Sequence, residues 1–262
     1  MSGGLISILQ NIINVSPTDS DIDIIIAKYL LNNLYLKDLT INKIATECHI
    51  SKASVTRFTH NLGFDGFSGF KKSYMETFIE REEMKIDLKA SQTDSYTNPQ
   101  AFKKDLEKVT EDLGDFIQKI SLEKLDGICN QIHSAKRVHI YATFIPGTMA
   151  EILQHMLLTN GKLVEYYPQL SNQLIASRSL DKNDLAIFIS LEGSYVMQKD
   201  LTLAITSSKA TSLLITQNPE MKMASLFDEI VQLGNHDKEQ SGKYKLLMFI
   251  EILMHRYYKL YE

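Results

Sequence analysis

Five residues close together in the chain could read a nucleic acid: Lys52, Ala53, Thr56, Arg57 and His60. On a helix they lie opposite Val55, Phe58 and Leu62, which recur at i, i+3, i+7 and point the other way. The Arg57 guanidinium suits the paired acceptors of a guanine edge, and Ala53 is small enough to approach a thymine methyl. A hydroxyl of Ser54 or Thr56 could bond a phosphate or a base edge. Lys52 flanks this face as a phosphate-seeking cation, and Thr40 and Lys43 would lie along the sugar-phosphate backbone, where contacts set register.

Two short helices must hold this face. Ile41, Ile44 and Ala45 repeat at i, i+3, i+4, with Thr40 as their N-cap. His49 and Ile50 break the pattern, Ser51 offers a second cap, and Gly63 can take positive φ at the end of the second helix. Two helices, a tight turn and a basic outer face read as a helix-turn-helix. The same spacing also fits an ordinary helical hairpin with solvated Lys52 and Arg57. Charge favours the first reading. The chain carries a net −4, yet Lys37, Lys43, Lys52, Arg57, Lys71 and Lys72 outnumber Asp38, Glu47 and Asp65 within this segment.

The wording of the segment adds to this. Ser51-Lys-Ala-Ser-Val-Thr-Arg-Phe58, then Asn61-Leu-Gly-Phe-Asp-Gly-Phe-Ser-Gly-Phe-Lys71, resembles the N-terminal domain of RpiR-type bacterial transcription regulators. Their recurrent phrases are S-x-A-[TS]-V-x-R-F and L-G-[FY]-x-G-[FY]-x-x-[FL]-K. The resemblance implies a sequence-specific regulator of carbohydrate metabolism whose partner is a double-stranded DNA operator. It places Thr40, Lys43, Ser51, Lys52, Ala53, Ser54, Thr56, Arg57 and His60 at the DNA.

At 262 residues the chain is long enough for two domains, and 44% apolar with 23% charged residues is a globular composition. Cys48 and Cys129 stand in different segments without metal-type spacing, so reduced thiols and no metal or other cofactor are expected. No apolar run approaches the ~18 residues of a spanning helix. The expectation is a cytoplasmic protein with no membrane partner.

The pattern predicts helices at 5–15, 19–32, 40–47, 51–62 and from 67 into the charged stretch 80–83, with Phe64, Phe67 and Phe70 as core anchors. Residues 90–100 are polar, contain Pro99 and read as a linker or helix break. The expected division is a helix-turn-helix domain at 1–83, a linker at 84–100 and an effector domain at 101–262. Helices follow at 101–120 and 122–134. Strands at 138–142, 163–167, 185–190, 212–216 and 229–233 then alternate with helices at 148–159, 174–178, 196–207 and 221–227 before a long helix at 243–261. Such alternation predicts a parallel sheet covered by helices on both faces. The last helix is apolar on more than one stripe, which suits either burial wholly within one chain or packing on both the sheet and a second subunit; the regulator reading expects the latter, as a homodimer or homotetramer.

A βα series behind a helix-turn-helix resembles the sugar isomerase (SIS) domain of RpiR-type proteins. That resemblance implies a fold of an N-terminal all-α helix-turn-helix domain plus a C-terminal α/β SIS domain. It also implies a sugar phosphate or related metabolite as effector, held outside the carboxyl ends of the strands. Thr143, Gly147, Thr148, Ser190, Glu192, Gly193, Ser194 and Thr216 fall at the corresponding loops. Both family loops are altered. Ala142 and Phe144 replace the glycines of G-x-G-x-S and Pro146 its serine, while Glu192 and Tyr195 replace a serine and the threonine of S-x-S-G-x-T. Glu192 either occupies the anion position itself, so that ordinary sugar phosphates bind weakly, or faces solvent beside a modified pocket. An isomerase reading would need Glu192, His236 or Glu239 as its acid–base groups, and with degraded loops the chain is expected not to be an enzyme. His133, His139 and His155 are expected to be satisfied or solvated imidazoles.

Overall fold

The computed structural model describes residues 2–15, 21–34, 36–75, 98–168, 170–191, 199–234 and 241–261. The chain divides into two compact units, Met1–Lys89 and Ala90–Glu262.

In the first unit, α1 (Ser2–Val15) packs on α2 (Ile22–Asn32). The α2 start is fixed by Asp21, whose carboxylate accepts the Asp23 amide at 3.0 Å. The start expected at 19, like Pro17 and Thr18, lies outside the described residues. Helices α3 (Ile41–Glu47), α4 (Lys52–Asn61) and α5 (residues 67–75) complete the cluster. Leu5, Leu9, Ile26, Leu30, Ile44, Val55 and Phe58 are buried together, each worth roughly 1.5–3 kcal/mol of transfer free energy. Phe70 is the hub, edge-on to Phe64 at 5.5 Å and Phe58 at 6.3 Å. Phe64 and Phe70 are buried and Phe67 is half-buried beside them, so all three serve the core as expected. Residues 76–83 lie outside the described part.

The first described element of the second unit is α6 (Pro99–Lys119), which takes in the last two residues of the stretch expected to be linker. Asn98 caps it through the Gln100 amide at 2.9 Å, and Pro99 sits where its missing N–H costs nothing. Then come α7 (Leu122–Ser134), β1 (Arg137–Tyr141), α8 (Phe144–Thr159), β2 (Val164–Tyr166), α9 (Leu170–Ser177), β3 (Asp184–Ile189), α10 (Lys199–Thr206), β4 (Thr211–Thr216), β5 (Glu229–Gln232) and α11 (Gly242–Tyr261). The strands form one parallel sheet in the order β2-β1-β3-β4-β5. One face is covered by α7, α8, α11 and Phe116 of α6, the other by Leu201 and Ile205 of α10 together with Leu170 and Leu174 of α9. Strand β3 is buried throughout, as a central parallel strand must be.

Three expected elements differ. Helix α8 starts at Phe144 and not at 148, because Pro146 falls in its first turn, where proline is tolerated. Helix α9 spans Leu170–Ser177 and is longer than the 174–178 expected. The helix expected at 221–227 is a single 3₁₀ turn, Ala224–Leu226, entered through Met223 at φ 75°. Asp228 then ties the loop to β4, accepting the Ser212 amide at 2.8 Å and hydroxyl at 2.7 Å.

Candidate nucleic-acid interface and effector edge

Helix α4 is built from its cap outward. The Ser51 hydroxyl accepts the Ser54 amide at 3.0 Å, which satisfies an otherwise unpaired donor of the first turn. Its far end closes on Gly63 at φ 83°, with the Phe64 amide bonded to the Thr59 carbonyl at 3.1 Å. Val55 and Phe58 are buried, so Lys52, Ala53, Arg57 and His60 must face solvent, and they do. Ser54 does not share that face. It is buried, and its hydroxyl pairs with Ser51 Oγ at 2.9 Å, so it braces the cap. The half-buried Thr56 donates its hydroxyl to the Lys52 carbonyl at 3.2 Å.

Helix α3 is held likewise by Thr40, whose hydroxyl accepts the Lys43 amide at 3.1 Å. The Lys43 ammonium bonds both oxygens of Asp38 at 2.9 Å. That hydrogen bond holds the Asp38 carboxyl below its ordinary range and raises the lysine. The turn between the helices passes through His49, a non-glycine at φ 54°, and the Ile50 amide returns to the Ala45 carbonyl at 2.9 Å.

In the second unit the strands bring their carboxyl ends to one edge. After β1, Thr143 is buried, makes no side-chain cap to α8, and its Oγ1 has no hydrogen-bond partner among the described residues. Gly147, in the first turn of α8, lies so close to Tyr166 that a Cβ there would stand 2.6 Å from the phenol oxygen. Gln173 ties the loop down, donating to the carbonyls of Ala142 at 2.8 Å and Tyr167 at 2.7 Å. Thr148 is exposed. After β3 and β4, Ser190 and Thr216 are buried. The Thr216 hydroxyl is already engaged, donating to the Leu191 carbonyl at 3.1 Å and accepting the Asn218 amide at 3.0 Å, so it braces the two loops. Glu192, Gly193 and Ser194 lie outside the described residues, as do His236 and Glu239.

Sequence reasoning missed three residues at this edge. The Gln217 side chain fills the space beside Gly242, where a Cβ would meet its Oε1 at 1.6 Å. Ser241 is fully buried at the start of α11, and four residues on Lys245 is only 2% exposed. A signal existed. Lys245 precedes Phe249, Leu253 and Tyr257 at intervals of four, which places a lysine on the buried stripe of α11.

His139 also departs from expectation. His133 and His155 are exposed, with His133 stacked on Tyr261 at 3.7 Å. His139 is buried, and neither ring nitrogen finds a hydrogen bond among the described residues. Burial pushes its imidazole down, opposed by the Glu165 carboxylate 3.5 Å from Nδ1. Two positions along the same strand face, burial raises the Tyr141 phenol, whose hydroxyl is likewise unpaired. Both thiols are free and buried, with Cys129 pushed up to about 11 by burial. Among the described residues no group of three or more His, Cys, Asp or Glu side chains could hold a metal, and no helix is long and apolar enough to cross a membrane.

With this geometry in place, comparison with known proteins is informative. Residues 7–79 match the helix-turn-helix domain of the rpiR family. An HTH-type transcriptional regulator from the aarA 3′ region of Providencia stuartii is 24% identical over 157 residues. That match covers 60% of this chain and spans 55% of the relative's length. The Vibrio vulnificus NanR protein complexed with ManNAc-6P superposes with a TM-score of 0.53 at 18% identity, over 98% of this chain and 92% of that one. The sugar isomerase domain of an RpiR transcription factor from Sphaerobacter thermophilus gives 0.50 at 16% identity, over 60% of this chain and 88% of the other. At these identities the two structures speak for the fold alone: a helical domain followed by an α/β domain folded like the sugar isomerase domain of the Sphaerobacter protein. The helix-turn-helix match applies to the N-terminal unit: residues 7–79 carry the rpiR-family helix-turn-helix domain, and behind them lies an α/β unit with the fold of a sugar isomerase domain.

Proposed function

We propose that the protein is a cytoplasmic, sequence-specific transcription regulator that binds a double-stranded operator and answers to a metabolite. The observation that carries this reading is the α4 surface. Its apolar side is locked by Val55 and Phe58, its start by Ser51, and Lys52, Ala53, Arg57 and His60 are left on a rigid, exposed face. The reading takes Arg57 as the base-reading residue and Lys52, Thr40 and Lys43 as phosphate contacts. Thr56 adds its methyl side, and Ser51 and Ser54 hold the helix start. A homodimer or homotetramer would present paired helices to half-sites about 34 Å apart.

The test is selection of bound genomic fragments followed by salt titration of the best site. Arg57→Ala should weaken binding by about 1–3 kcal/mol and relax preference at one base pair. Lys52→Ala should weaken all sequences alike and reduce the salt slope by about one unit. Operator affinity unchanged in both variants would remove α4 from the interface.

For the effector, the reading is a sugar phosphate or related metabolite at the carboxyl edge. The unpaired Thr143 hydroxyl at the start of α8 and the buried cation Lys245 both suit an anionic, hydroxyl-bearing ligand. The presence of ManNAc-6P in the NanR structure supports that ligand class. Calorimetry with a panel of sugar phosphates is the test, and failure of every phosphorylated sugar to bind would overturn the effector assignment while leaving the operator assignment standing. Glu192→Gln in the same titration separates the two readings of that carboxylate: affinity rises if it occupies the anion position and stays unchanged if it faces solvent.

A further inference from the structure

Helix α6 is more amphipathic than its single buried residue, Phe116, requires. Phe116 fixes the side turned to the sheet domain. About a quarter-turn away runs a second stripe, Lys103, Leu106, Thr110, Leu113, Gly114 and Ile117. Leu106 and Ile117 are 50% and 51% exposed. Between them Thr110 turns its hydroxyl back to the Leu106 carbonyl at 3.0 Å, which leaves its methyl outward. Gly114 weakens a helix interior, and no described atom lies within 4 Å of where its Cβ would be, so nothing inside the protomer excludes a side chain there.

We infer that this stripe is a two-fold seam at which α6 packs antiparallel on α6 of a second copy. Pairing about Thr110 sets Leu106 of one copy opposite Gly114 of the other, a protruding side chain over an open hollow, and does so twice. Charge fixes the direction. Residues 103–108 are net positive (Lys103, Lys104 and Lys108 against Asp105 and Glu107), and residues 111–119 are net negative (Glu111, Asp112 and Asp115 against Lys119). An antiparallel pair places each half against its opposite, and the helix dipoles also oppose; a parallel pair would set like against like. Asp112 meets its own counterpart near the axis, but it points away from the seam and accepts the Ser241 hydroxyl at 3.2 Å.

The inference rests on the homo-oligomer reading above, and the experiment separates the two. Sedimentation of the full-length protein is followed across the micromolar range for wild type, Leu106→Lys, Gly114→Leu and, as an off-seam control, Leu163→Lys, which alters another highly exposed leucine. Both seam variants should raise the dissociation constant by at least about tenfold, with the control unchanged. Gly114→Leu is the sharper test. In a lone protomer it fills open space and favours helix, so at a dilution where both proteins are monomeric its melting temperature should match or exceed that of wild type, while its association is lost. Thr110→Cys, placed at the axis, should give an intermolecular disulfide under mild oxidation. A monomeric wild type would overturn oligomerisation altogether. A wild-type oligomer that survives both substitutions, or a Thr110→Cys protein that does not cross-link, would overturn this seam alone.

Discussion

Gly147 and Tyr166 offer a direct probe of how the effector edge is packed. A Cβ at Gly147 would lie 2.6 Å from the Tyr166 phenol oxygen, but 3.7 Å from both the ring carbon that bears it and the Ala142 carbonyl. Ordinary contacts begin near ~3.5 Å, so the hydroxyl is the sole obstruction among the described atoms. That hydroxyl makes only a long bond to the Ala142 carbonyl, 3.4 Å, and Tyr166→Phe should therefore cost no more than about 1 kcal/mol. In wild type, Gly147→Ala must displace the phenol at an overpacking cost of about 1–3 kcal/mol, against which helix propensity returns about 1 kcal/mol. The net is a loss of up to about 2 kcal/mol. In the Tyr166→Phe background the same substitution meets only ordinary contacts and should stabilise by about 1 kcal/mol. Urea unfolding of the four proteins, read from the transition of the α/β unit, gives the coupling. An alanine effect equal in the two backgrounds to within about 0.5 kcal/mol would show that the phenol does not hold this position and refute the reasoning.

Two further perturbations test the units separately. His49→Gly should stabilise the helical unit by up to about 1 kcal/mol, since a side chain at φ 54° costs about 1–2 and glycine's extra chain entropy returns part of it; His49→Val should destabilise it, and equal midpoints for both variants in chemical denaturation would contradict a left-handed turn. For His139, burial lowers the folded-state pKa below the unfolded ~6.5, so the unfolded chain binds more protons as pH falls below 7. The stability it contributes is complete above that unfolded value and declines toward the folded one, so the α/β unit should weaken between about pH 7 and 5, and His139→Phe should flatten that slope; an unchanged slope would exclude His139 as its source.

What the sequence disclosed was periodic or local. The stripes of α3 and α4, their Thr40 and Ser51 caps and the strand–helix alternation from Arg137 onward each depend on neighbours within a few residues. Proline hid two helix starts: Pro99 reads in the sequence as a linker or helix break and Pro146 as the serine position of a loop, yet both sit in the first turn of a helix. Ser54 was misplaced for a related reason: the helical wheel put it at the margin of the outer face, and the Ser51 hydroxyl drew it inward.

The effector edge was legible only in part, because its residues meet through topology. Parallel strands carry Thr143, Ser190 and Thr216 to the same edge from positions far apart in the chain, a consequence the alternation alone implies. Gln217 and Lys245 join them only because α11 begins against the end of β4, with Gly242 at the Gln217 side chain, and no local pattern states where a last helix will start. This bears on the altered loops. Losing the glycines and serine of the first loop removes a side-chain donor and backbone freedom, but the start of α8, which no side chain caps, belongs to the helix and not to the motif. The Thr143 hydroxyl, buried and without a hydrogen-bond partner among the described residues, is therefore a feature of this edge that the motif's wording does not record.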